Sequence, residues 1–131
     1  MLKRLSLILV LTLVLAACSN QQIKESELLG EWSCVQVTTA DQEYTFQQLS
    51  DKGISWILTF QNGGVGTTQS GNEEQDLVRW ELKDNVVEVT DSFGDVYEFS
   101  YKDNLLYLQM EGNNYIMALK DSPAYQDFLE K

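Results

Sequence analysis

Val78-Arg79-Trp80-Glu81-Leu82-Lys83-Asp84-Asn85-Val86-Val87-Glu88-Val89 alternates apolar and polar side chains on both sides of a two-residue break. Period-two alternation marks a strand with one buried face, and a short polar pair between two such runs marks a hairpin. Residues that pair across a hairpin share a face. With Asp84-Asn85 as the turn, Leu82 faces Val87 and Trp80 faces Val89, with Val78 on the same side. One face is then apolar, and Arg79 lies on the other.

The same test extends outward in both directions. Asn62-Gly63 as a turn pairs Phe60 with Val65 and Leu58 with Thr67, continuing an apolar face of Ile54, Trp56, Leu58 and Phe60. Asp103-Asn104 sets Tyr101 against Leu106 and Phe99 against Leu108, with Tyr97 and Met110 alongside. Around Gly112-Asn113, Met110 faces Tyr115, and Met117 and Leu119 follow. A one-residue slip would send these sets to opposite faces, so their agreement supports one register. Strands are predicted at 30–38, 54–61, 64–70, 77–83, 86–90, 96–102, 105–111 and 114–120. Eight such strands close most economically into an all-β, eight-stranded up-and-down antiparallel barrel that leaves no edge exposed. An open half-barrel or sandwich of the same strands is the alternative. Ser122-Pro123 then reads as an N-cap and first-turn proline, opening a short C-terminal helix with Tyr125, Phe128 and Leu129 on its apolar stripe.

The first residues read differently. Lys3 and Arg4 precede an apolar run from Leu5 to Ala17, too short for a comfortable membrane span and patterned as a signal peptide over residues 1–17. Leu15-Ala16-Ala17-Cys18 resembles the lipobox of bacterial lipoproteins, which implies acylation of Cys18, palmitate included, and a mature chain that begins there. Residues 18–27 then form the lipidated cysteine and a polar tether, and 28–131 one barrel domain. The expected location is the bacterial cell envelope, lipid-anchored. Ser19 after the cysteine resembles outer-membrane sorting if the cell is Gram-negative.

Charge and cysteine count narrow the partners. The chain holds 9 Lys and Arg against 20 Asp and Glu, a formal −11. Loss of Lys3 and Arg4 with the signal peptide leaves 7 against 20, or −13. Such a surface repels phosphate backbones and anionic headgroups, so nucleic acid is not an expected partner. Membrane attachment must come from the N-terminal acyl chains. With Cys18 acylated, Cys34 stands alone, without a disulfide partner, as a small buried hydrophobe.

From Leu29-Gly30-Glu31-Trp32 onward the chain resembles the lipocalin-like domains of bacterial lipoproteins. Gly30-x-Trp32 on the first strand, Trp56-Ile57-Leu58-Thr59-Phe60 before Asn62-Gly63-Gly64, Trp80-Glu81-Leu82 with Asn85-Val86-Val87-Glu88-Val89, and Tyr115-Ile116-Met117-Ala118-Leu119 carry the likeness over residues 28–120. The resemblance implies a barrel closed at the Gly-x-Trp end, in some members with an internal ligand site. The tight turns fall at that closed end. At the other lie the connection 39–53, long enough to serve as a lid, and the loops 71–76, 91–95 and 111–113. An acidic rim of Asp41, Glu43, Asp51, Glu73, Glu74, Asp76, Asp91, Asp95 and Glu111 is expected there.

Inward positions near this mouth are Gln36, Trp56, Gln69, Val78, Val89, Tyr97, Met110 and Tyr115. Aromatic walls with two amides and two phenols suit a small amphipathic ligand. The same side chains also suit a filled core, since eight strands enclose little more than their own side chains. The expectation is a largely packed barrel with a shallow mouth. Catalysis is not expected. The chain has no histidine, which removes Ser–His–Asp and Cys–His constellations and the common zinc and haem ligand sets, so neither metal nor cofactor is called for. Gly63-Gly64-Val65-Gly66 lacks the lysine and helix of a phosphate loop, and Asp91-Ser92-Phe93-Gly94-Asp95 reads as a turn before it reads as a weak calcium loop. Ser92-Phe93-Gly94-Asp95-Val96-Tyr97 also resembles, loosely, the Ser/Gly/Tyr loop of membrane-bound lysozyme inhibitors. That likeness implies the alternative function, an interaction or inhibitor module whose acidic rim binds a basic protein.

Overall fold

A computed structural model describes residues 23–131, so the signal-peptide, lipobox and Cys18 expectations lie outside the described residues. The described chain builds one antiparallel sheet: β1 (Gly30–Thr38), β2 (Glu43–Thr45), β3 (Trp56–Gln61), β4 (Val65–Ser70), β5 (Glu73–Lys83), β6 (Val86–Asp91), β7 (Val96–Lys102), β8 (Leu105–Met110) and β9 (Asn113–Leu119). β1 pairs with β9 from Trp32–Leu119 to Thr38–Asn114, which closes β1 and β3–β9 into an eight-stranded up-and-down barrel. Short β2 lies outside that count, laid along the outer half of β1 through Gln36–Thr45, Val37–Tyr44 and Thr38–Glu43.

Three short helices complete the fold. α1 (Glu25–Leu28) lies at the closed end, where Ile23 and Leu28 are buried and the Trp32 indole N–H donates to the Leu28 carbonyl at 2.8 Å. Packing therefore already includes Ile23, ahead of the Leu28 start read from the sequence. α2 (Phe46–Asp51) starts with a capping box in which Thr45 and Gln48 satisfy each other's backbone N–H groups. The 39–53 connection is not the expected lid: it lies outside the barrel against β1 and the C-terminal helix, where Phe46 meets Tyr125 at 5.9 Å. α3 (Pro123–Leu129) starts where expected, with the Ser122 hydroxyl accepting from the Tyr125 amide at 3.2 Å. Its apolar stripe is Ala124, Tyr125 and Phe128, partly buried against Val35, Leu105 and Ala118 outside the barrel. Leu129, expected on that stripe, remains 42% exposed.

The lower half of the barrel is filled. Trp32, Leu58, Phe60, Trp80, Val87, Phe99, Leu106 and Met117 are buried there, and Phe60 meets Trp80 at 5.1 Å between ring centroids. Each such side chain contributes about 1.5–3 kcal/mol by leaving water. The β5–β6 hairpin has the expected register, Trp80–Val89 and Leu82–Val87.

Three local irregularities shift other faces. The β3–β4 loop holds three residues, Asn62-Gly63-Gly64, so Phe60 pairs with Gly66 and Leu58 with Thr68, one residue off the expected partners. Gly63 and Gly64 both have positive φ, and the Trp80 indole N–H is within bonding distance of the Gln61 and Val65 carbonyls at 3.1 and 2.7 Å, pinning the longer loop. In β1 a bulge lies between Cys34 and Gln36, and in β5 another lies between Leu77 and Arg79. Each bulge inserts one residue and reverses the inward alternation beyond it.

One seam of the wall is incomplete. β7 and β8 pair only through Lys102–Leu105, Tyr101–Leu106 and Ser100–Tyr107. The expected Phe99–Leu108 pair does not form, and the two strands part toward the open end.

Candidate functional site

The open half of the barrel holds a cavity of about 440 Å³. Trp56 is its hub. Its ring meets Tyr97 at 6.3 Å and Tyr115 at 5.7 Å edge-on, and Phe99 at 5.9 Å, while its indole N–H donates to the Thr68 hydroxyl at 3.0 Å. Edge-to-face packing and one hydrogen bond hold the indole in a single orientation. Leu58, Leu77, Val89 and Met110 complete the apolar lining. Ile54 and Phe93, 52% and 75% exposed, stand at the lip.

Polar groups converge on the same space. Asp91, only 7% exposed, accepts on one carboxylate oxygen from the Phe93 amide at 2.9 Å and the Asp95 amide at 3.0 Å, which sets the β6–β7 turn. Its other oxygen accepts from the Tyr97 hydroxyl at 3.2 Å. Burial, together with Asp91, Asp95 and Glu111, holds the Tyr97 phenol above its ordinary range. Glu73, Gln75 and Asp95 also line the cavity.

A second space, about 970 Å³, occupies the seam where β7 and β8 part. Tyr97, Met110, Tyr115 and Asp95 border both spaces, which therefore adjoin across the seam. Glu98 and Glu111 lie along this seam.

Of the eight mouth positions read from the sequence, Trp56, Val89, Tyr97, Met110 and Tyr115 meet around the cavity. Gln36 does not. The β1 bulge pairs it with Ile116, a residue of the outer cluster beneath α3, and sets Val37 against Tyr115 instead. Gln69 is also displaced: the three-residue loop turns Thr68 inward and leaves Gln69 paired with Ile57 and Glu74 on the outer face. The side chain of Val78 lies outside the described residues, and buried Leu77 lines the cavity from this strand. Sequence reading missed Thr68, Gln75, Leu77 and Phe99. Three glycines in four residues, Gly63, Gly64 and Gly66, are the one sequence signal that a two-residue turn was too short.

The nine rim carboxylates are not one surface. Glu73, Asp91 and Asp95 line the cavity and Glu111 the seam. Glu74 and Asp76 pair with Gln69 and Thr67 on the outer face of β5, and Asp41, Glu43 and Asp51 lie exposed on the 39–53 connection, away from the cavity lining. Cys34 packs partly buried against the core, and burial pushes its thiol up to about 11, which leaves it protonated and a poor nucleophile at neutral pH.

Fold and site together define a lipocalin-like barrel in shape: closed at one end, hollow and aromatic at the other. No family model, no curated protein and no solved structure matches this chain.

Proposed function

We propose that the protein is an envelope-anchored lipoprotein whose barrel binds a small amphipathic ligand at its mouth, and that it is not an enzyme. The observation that carries this reading is the aromatic cavity around Trp56, pre-formed above a filled lower barrel and bordered by a few convergent polar groups. Its volume falls within the range of small-molecule sites, and its exposed apolar lips, Ile54 and Phe93, suit the greasy part of such a ligand. Anchoring rests on the likeness of Leu15-Ala16-Ala17-Cys18 to a lipobox.

The test is native mass spectrometry of the protein purified gently from its own envelope extract. A retained small-molecule adduct that disappears in Trp56→Ala supports the reading. Bare protein with a co-purifying basic partner moves the function to the outer carboxylates of the 39–53 connection and β5, and bare protein alone leaves a barrel without a soluble ligand.

A further inference from the structure

The electrostatics of the mouth select a ligand class. None of the seven Lys and Arg side chains among the described residues lines either the cavity or the seam. The ion pairs among the described residues lie elsewhere: Arg79 and Lys83 with Glu81 and Glu88, and Lys120 with Glu31. Lys52, on the 39–53 connection outside the barrel, sits over the Tyr44 ring at 5.7 Å. Glu73, Asp91, Asp95, Glu98 and Glu111 therefore border two adjoining spaces that no Lys or Arg of the described residues lines. Aromatic rings face that same space, and a ring face attracts a positive charge as a carboxylate does.

Resting on the cavity reading above, we propose that the ligand is an organic cation: an ammonium head held among Trp56, Tyr97 and Tyr115 beside Glu73 and Asp95, with an apolar tail between Ile54 and Phe93. An anionic amphipath such as a fatty acid has no counter-charge here and would have to be desolvated among carboxylates, which is costly. A cation gains twice, from the ring quadrupoles and from the field of an acidic protein focused into a low-dielectric cleft. Asp91 supports this field but is committed to the turn and to Tyr97, so Glu73 and Asp95 are the side chains free to answer a ligand.

Isothermal titration of the mature chain, with Cys18→Ser so that no acyl chain competes, tests this with three probes of one tail length: octyltrimethylammonium, octanol and octanoate. The cation is expected to bind about tenfold or more tighter than the alcohol, with octanoate weakest, and to weaken as salt is raised. Glu73→Gln combined with Asp95→Asn should reduce that preference about tenfold and leave octanol binding unchanged. Octanol or octanoate binding as tightly as the cation, or a double variant that keeps the full preference, overturns the cation proposal while the cavity reading stands. No binding by any of the three overturns both.

Discussion

Gly66 shows how closely single atoms are constrained in this barrel. It faces Phe60 across β3–β4, and a Cβ placed there would run into the Thr59 backbone carbonyl. Backbone cannot step aside as a side chain can, so Gly66→Ala should cost about 1–3 kcal/mol, read as a lower urea midpoint with unchanged slope. An unchanged midpoint would mean that the two strands separate freely. Cys34 supplies a pH prediction. Its thiol stands at about 11 when folded against 9.0 when free, so above pH 9 the unfolded chain loses this proton before the folded chain does. Stability contributed by the neutral thiol is complete below pH 9 and declines as pH rises toward about 11. Cys34→Ala should flatten the fall in urea midpoint between about pH 8.5 and 9.5, below the 10.0 near which the tyrosines Tyr97, Tyr101 and Tyr107, all raised in the fold, lose their protons in the unfolded chain. An equally steep fall in the variant would assign it to other groups. At this scale the sequence revealed the aromatic wall, because Trp56, Tyr97 and Tyr115 lie on uninterrupted alternating runs. It misplaced Gln36 and Gln69, each just beyond an irregularity that inserts one residue and leaves no mark in polarity.

Strands and turns were more legible than side-chain directions. Asp84-Asn85 and Asp103-Asn104 allow only tight hairpins, and Asp103 and Asn104 both adopt the positive φ such turns require. The bulges at β1 and β5, and the docking of β2 and α2 outside β1, depend on contacts made far away in sequence. Val35 turns outward because α3 offers it Ala124, Tyr125 and Phe128, a neighbour that no local pattern announces. The parting of β7 from β8 was likewise hidden, since Tyr97, Phe99, Leu108 and Met110 alternate as if paired. Its consequence is measurable by native-state hydrogen exchange. Amides of β7 (Val96–Phe99) and β8 (Leu108–Met110) that point into the seam have no ladder partner, whereas β1–β9 pairing is continuous past its bulge. The seam amides should exchange about 100-fold or more faster than those of β1 and β9. Equal protection would mean that the seam is closed in solution.

The whole molecule has a polarity along the barrel axis, and it bears on how an anchored protein would stand. Ile23 and α1 pack at the closed end, and only four residues separate Ile23 from Cys18. Five peptide steps span at most about 17 Å, so acyl chains on Cys18 would hold the closed end near the bilayer. Strands of six or seven residues rise roughly 20 Å, which sets the mouth that much farther out. Charge adds to this arrangement, because Glu73, Asp91, Asp95 and Glu111 at the mouth are repelled by anionic headgroups, while Lys83 and Lys102 stand beside turns at the closed end. A fluorophore placed by Asn104→Cys at a closed-end turn, in a Cys34→Ala background, should then be strongly quenched by quencher-bearing lipids. One placed by Phe93→Cys at the lip should be quenched weakly, with acylated protein in vesicles used for both. The reverse order would mean that the mouth faces the membrane and draws its ligand from the bilayer, and equal quenching would mean that the barrel lies on its side.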